Sequence, residues 1–171
     1  MSFYLFIMRH AKSDWSSPGT SDFDRPINKR GHKNARRIGE WMQQNTQIPE
    51  KIVCSPALRA KQTIENVLGQ LITFNQNDLY YDKDLYLADL DTLLECIQLY
   101  KNDVNSLMLI AHNPGLDYLV DFLADKSIEP DKQGKTVTTA NLIIFEFAHN
   151  NFDPEIDKGK LIEFIKPKQL D

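Results

Sequence analysis

Phe3-Tyr4-Leu5-Phe6-Ile7-Met8-Arg9-His10-Ala11-Lys12 is the stretch on which the fold turns. Phe3 to Met8 is an unbroken apolar and aromatic run, the pattern of a parallel strand buried on both faces. A buried parallel strand delivers its last residues to the carboxyl edge of its sheet, where open α/β folds place their ligand crevice. Arg9 and His10 stand at that point. A second apolar strand, Ser106 to Ala111, ends in His112-Asn113-Pro114-Gly115. A short one, Lys51 to Cys54, ends in Ser55-Pro56-Ala57-Leu58-Arg59-Ala60. Three strand ends therefore bring two histidines and two arginines to one edge.

Helical patterns lie between these strands. Asn28-Lys29-Arg30-Gly31 opens a helix running to about Gln44, with Ala35, Ile38, Trp41 and Met42 at helical spacing. Ser55-Pro56 is expected to start another, with serine as N-cap and proline in the first turn. Leu90 to Tyr100 reads as a third, and Asn113-Pro114 as the start of a fourth ending near Ala124. Residues 12–28 and 125–137 are polar loops, and residues 77–86 look irregular. Thr138 to Ala148 and Lys160 to Ile165 alternate as a hairpin covering a sheet edge. Strands alternating with helices imply an α/β, three-layer sandwich with a mostly parallel central sheet. Its strand order is not readable from the pattern.

The 171 residues fit one domain, 1–171, with a sizeable core. The 42% hydrophobic and 26% charged composition is that of an ordinary globule, and a net charge of −4 gives no general attraction to nucleic acid or anionic membranes. An anionic substrate must be drawn by a local arginine cluster. No signal peptide or membrane span is recognisable. Cys54 and Cys96 are expected to be buried free thiols, so a cytoplasmic location is expected.

Three motifs taken in order, Leu-Phe-Ile-Met-Arg-His-Ala, Ser-Pro-Ala-Leu-Arg-Ala-Lys-Gln-Thr and Leu-Ile-Ala-His-Asn-Pro-Gly, resemble the histidine phosphatase superfamily. The small size is most similar to its short, SixA-like phosphohistidine phosphatase branch. The resemblance spans residues 3 to about 147 and implies a phosphoglycerate-mutase-like topology. Ala11 departs from the glycine usual in the broader superfamily, which leaves the activity class standing and argues against mutase-like branches.

His10 is the expected nucleophile. An imidazole nitrogen attacks phosphorus only when neutral, so flanking arginines are expected to lower its pKa and a backbone carbonyl to hold its other N–H. Arg9 and Arg59 suit a clamp on the three equatorial oxygens of a transferring phosphoryl group. His112 is expected to donate to the same group, beside the amides of the following helix. Lys12, Ser13 and Asn113 are binding candidates by adjacency. The resemblance adds Arg25, within Asp22-Phe23-Asp24-Arg25-Pro26-Ile27-Asn28, at the mouth of the site. It also adds a carboxylic acid after the third strand, for which Asp84 matches better than Asp82. Arg36, Arg37, His32 and His149 read as surface residues.

No metal or other cofactor is expected: His/Cys clusters at zinc spacing, dense carboxylate sets and glycine-rich nucleotide loops are lacking. The expected function is a metal-independent phosphatase working through phospho-His10, with phosphohistidine on a protein, such as a histidine-containing phosphotransfer domain, as its substrate. The alternatives are a phosphatase of small phosphoesters and a non-catalytic phosphate-binding domain.

Overall fold

The computed structural model describes residues 1–170. Six strands form one sheet: β1 (Phe3–Arg9), β2 (Lys51–Cys54), β3 (Leu79–Tyr81), β4 (Ser106–Ala111), β5 (Leu142–Phe147) and β6 (Lys160–Ile165). Their order is β3-β2-β4-β1-β5-β6. The first four strands are mutually parallel, and β5 and β6 close one edge antiparallel. The helices are α1 (Lys29–Asn45), α2 (Leu58–Leu68), α3 (Leu90–Tyr100) and α4 (Gly115–Leu123).

Handedness dictates the layers. Crossovers between parallel strands are right-handed because both strand and helix twist that way. The chain moves outward from β1 to β2 to β3, which puts α1 and α2 on one face. It then reverses direction to reach β4, so α3 must lie on the opposite face. The side chains of β1 alternate accordingly. Phe6 and Met8 pack with Ala35, Ile38 and Met42 of α1 and Ile64 and Val67 of α2. Leu5 and Ile7 pack with Leu93 and Ile97 of α3 and Leu116 and Leu119 of α4. The sandwich is the expected three-layer α/β fold.

Local details differ from the sequence reading. Asn28 caps α1 as expected, its side chain accepting from the Gly31 amide at 2.9 Å. The α2 helix starts at Leu58, later than Ser55-Pro56 suggests, and Ala57 occupies the cap position. Ser55 is drawn away because its hydroxyl is engaged by a histidine. Residues 77–86 contain the edge strand β3, flanked by two short 3-10 turns. With only three residues and two tyrosines facing solvent, β3 lacks a hydrophobic signature. β5 begins at Leu142, because Ala140 sits at a left-handed φ of 60° and breaks the extended run from Thr138. Cys54 and Cys96 are free and buried.

Candidate functional site

The parallel register aligns the three strand ends. Arg9 pairs with Ala111, and Cys54 with Ile110. Just beyond them, the His10 amide donates to the Ala111 carbonyl at 3.3 Å and the Ser55 amide to Ile110 at 2.9 Å. His10, Ser55 and His112 therefore emerge side by side. The His10 and His112 rings lie 5.2 Å apart, centroid to centroid. A cavity of about 280 Å³ opens over them, lined by Arg9, His10, Lys12, Ser13, Arg25, Arg59, His112 and Asn113, all anticipated from the sequence. Trp15, Asp22, Leu87 and Thr139 complete its wall.

His10 is 6% exposed, and its Nδ1 lies 2.8 Å from the Ala11 carbonyl, a bond that assigns the ring proton to Nδ1. The Nε2 lone pair is left facing Arg59, whose Nε–H reaches it at 3.4 Å. The His10 pKa is pushed down to about 3. Burial is the largest cause; His112, Arg59 and Arg9 add repulsion, and the Ala11 bond opposes them. The arginines act in the expected direction, but burial is the stronger cause. Desolvation outweighs them because an imidazolium taken out of water loses solvation whether or not a cation is near. The Ala11 amide in turn donates to Thr63 Oγ1 at 2.9 Å, while the Thr63 hydroxyl donates to the Arg59 carbonyl at 2.6 Å. One threonine thus ties the end of β1 to the first turn of α2.

His112 is held from behind. The Ala57 amide donates to Ser55 Oγ at 3.3 Å, and Ser55 Oγ lies 2.7 Å from His112 Nε2. With the hydroxyl hydrogen directed at Nε2, the ring proton belongs on Nδ1. That nitrogen is buried without a partner in the protein. Burial, reinforced by Arg59, also pushes this histidine down to about 3.

The arginines differ in what they have free. Arg9 Nη1 donates to the Val137 carbonyl at 3.1 Å, and its Nε has no partner. Asn113 Nδ2 donates to the same carbonyl at 2.8 Å, so the polar loop 125–137 ends in a structural contact. Arg25 stacks 3.5 Å over Trp15 and donates from Nη2 to Asp22 at 2.7 Å, leaving Nε and Nη1 unpartnered. Arg59, 2% exposed, spends Nη1 on the Asp22 carbonyl at 2.5 Å and Nη2 on the Asp22 carboxylate at 3.1 Å. Buried polar groups are nearly always paired. Four lining residues that each keep an unpaired polar atom, three of them donors of N–H, describe a receptor for an oxyanion.

Asp84 does not join the site. It is exposed on a 3-10 turn (Lys83–Leu85), absent from the cavity wall, and its charge acts on Cys96 of α3 instead. Asp82 is also absent from the cavity wall; its Oδ1 accepts from the Asp84 amide at 3.0 Å, and its charge acts on Cys96 and Tyr100 of α3. The carboxylate at the cavity is Asp22, which the sequence reading quoted but did not single out. The Tyr86 hydroxyl donates to it at 2.6 Å. That bond, with Arg59 and Arg25 beside it, holds the Asp22 carboxyl below the usual range, so it is ionised at neutral pH. Tyr86 arrives because Leu87 adopts φ 51° and Ala88 packs on Gly115, where any Cβ would lie 2.0 Å from the Ala88 carbonyl. Left-handed backbone at a leucine costs about 1–3 kcal/mol and is kept where surrounding contacts impose it. Ser55 and Thr63 stand at the two ends of the second motif without a role being assigned to either in the site, and nothing local marks Asp22 or Tyr86 as site residues. His149 is exposed as expected, whereas half-buried His32 bonds Asn66 at 3.0 Å. Among the described residues no His, Cys, Asp and Glu group could hold a metal ion.

A family profile described as the histidine phosphatase superfamily, branch 1, matches residues 5–82. The phosphohistidine phosphatase SixA of Escherichia coli K12 is 29% identical over 127 residues, covering 74% of this chain and 77% of that protein. An uncharacterized Mycobacterium leprae protein is 26% identical over 167 residues, covering 94% of this chain and 100% of its own. Among solved structures, the protein histidine phosphatase SixA complexed with tungstate superposes with a TM-score of 0.80 at 25% identity, over 99% of this chain and 100% of that one. A phosphoserine phosphatase of Entamoeba histolytica shares the fold at a TM-score of 0.66 and 13% identity, over 98% and 99% of the two chains.

Proposed function

We propose that this chain, similar to the histidine phosphatase superfamily over residues 5–82 and to the SixA phosphatases over most of its length, is a phosphatase that removes the phosphoryl group from phosphohistidine on a protein, through a covalent intermediate on His10 and without a metal. The observation that carries this reading is a neutral Nε2 beside unpaired donors, with the cavity's carboxylate kept ionised. Tungstate, bound by the SixA structure, is a tetrahedral oxyanion of phosphate's shape.

In the first step the His10 Nε2 lone pair attacks phosphorus. The new N–P bond forms as the P–N bond to the substrate imidazole breaks. Arg9, Arg25 and the His112 Nδ1–H stabilise charge on the equatorial oxygens, and Ala11 accepts from the Nδ1–H of His10 as that ring becomes cationic. In the second step water attacks phosphorus, the N–P bond to His10 breaks, and inorganic phosphate leaves with a proton lost to solvent.

The leaving group decides the substrate. An alkoxide must be protonated as it departs, and a missing general acid typically costs about 10²–10⁴ in rate. Asp22 is ionised and cannot supply that proton. A protonated phosphohistidine carries its own, so its imidazole leaves unaided. The open rim, where Trp15 is 74% and Leu87 55% exposed, suits a protein surface better than an enclosed small molecule. The whole chain is read as one domain, and a cytoplasmic signalling role fits its free buried thiols.

The test is single-turnover reaction with a ³²P-labelled phosphohistidine protein, with acid and alkaline quenching. The wild-type enzyme should acquire acid-labile, alkali-stable label, and His10→Ala should acquire none while keeping its melting temperature. Turnover by His10→Ala within tenfold of wild type would sink the assignment. A panel with faster cleavage of sugar phosphates than of phosphohistidine would replace the substrate.

A further inference from the structure

A second, larger groove of about 700 Å³ adjoins the cavity, and Lys12 and Thr139 belong to the walls of both. Its cations are Lys12, Arg30, Lys132 and Lys168. They come from four separate segments: the loop after β1, the first turn of α1, the loop before β5 and the C-terminal turn. All four are exposed, and among the described residues none lies within ion-pair distance of a carboxylate. Asp131 is the acid in the lining. Its Oδ1 accepts from the amides of Gln133 and Lys135, at 2.8 and 2.9 Å, and its single charge leaves the four cations in excess. Asn141 lies beneath, 1% exposed, with an unpartnered Nδ2. Four exposed cations thus line one concavity above a buried amide donor, on a chain whose net charge is −4.

We propose that this groove docks an acidic segment of the phosphoprotein substrate, flanking its phosphohistidine. The inference rests on the phosphohistidine reading above and adds how the substrate protein is chosen. Carboxylates complement both the cations and the Asn141 amide. The wall shared with the cavity places such a segment next to the phosphoryl group. Rim charges of this kind act on encounter and selectivity, with a strength that falls as salt rises.

The experiment compares three substrates: free phosphohistidine, a phosphohistidine peptide with Asp and Glu flanks, and the same peptide with Lys flanks. Wild-type enzyme should prefer the acidic peptide by about tenfold in kcat/KM, through KM, and lose the preference in high salt. The Lys132→Glu, Lys168→Glu double variant should lose that preference at low salt too. Its turnover of free phosphohistidine and its melting temperature should match wild type. Equal rates on both peptides with wild type, or a preference that survives in the variant, overturns the proposal. Loss of free phosphohistidine turnover in the variant would move the two lysines into the catalytic cavity and overturn it as well. If wild type cleaves no phosphohistidine compound at all, the function reading fails first, and this inference falls with it.

Discussion

Replacing the two cavity histidines should make the protein more resistant to acid unfolding. His10 and His112 are both held neutral, with pKa values pushed down to about 3. In the unfolded chain each returns to an ordinary value near 6.5. Between those limits the unfolded state binds more protons than the folded one, so stability falls as pH is lowered through 6.5 and continues to fall toward 3. At pH 5 the unfolded chain gains about 2 kcal/mol for each histidine and the folded chain almost nothing, so the pair costs about 4 kcal/mol relative to pH 8. Urea unfolding of wild type, His10→Gln, His112→Gln and the double variant at the two pH values measures this directly. Each single substitution should shrink the pH-dependent loss by about 2 kcal/mol, whatever it does to stability at pH 8. Carboxylates add their own pH dependence, but it is common to all four proteins and cancels in the comparison. An identical loss in all four would mean that the histidines titrate normally when folded. The depressed pKa of His10, and with it the neutrality of the nucleophile in mild acid, would then be refuted.

Arg59→Ala should lower kcat, because its Nε–H faces the His10 Nε2 and its other donors hold Asp22 in place, and should also loosen the loop around Asp22, read as increased protease cleavage near that residue; an unchanged rate would mean that Arg59 does nothing for the His10 nitrogen. Asp84→Asn should leave cleavage of every substrate unaltered, because the side chain is exposed and outside the cavity wall. Asp22→Asn separates competition from acid catalysis. If the carboxylate merely occupies arginine donors, inorganic phosphate should inhibit the variant at lower concentration than wild type. A 10²–10⁴ loss of turnover confined to phosphoesters would instead make Asp22 a general acid.

Residues near a strand end could be placed from the chain alone, because parallel pairing forces those ends to one edge. Arg9, His10, Arg59 and His112 each follow an apolar run, so hydrophobic patterning carried them to the cavity before any contact was known. The limits of α1, α3 and β4 were equally legible, since Asn28, the Leu90 to Tyr100 pattern and the unbroken Leu107–Ala111 run are local signals.

What needed the tertiary structure was any choice among residues with the same local appearance. Asp22 and Asp84 are both loop carboxylates, and no sequence rule separates them. Asp22 reaches the site because Phe23 O is tied to the Leu58 amide and Arg59 grips its backbone, while Asp84 stays exposed on its 3-10 turn, outside the cavity wall. Ser55 looked like a helix cap until the fold set it 2.7 Å from a histidine 57 positions away. The strand order and the four-segment basic groove are likewise set by which elements pack together. Periodicity reports which face of an element is buried, but not what that face meets; long-range packing makes that choice, and with it the electrostatics of the site.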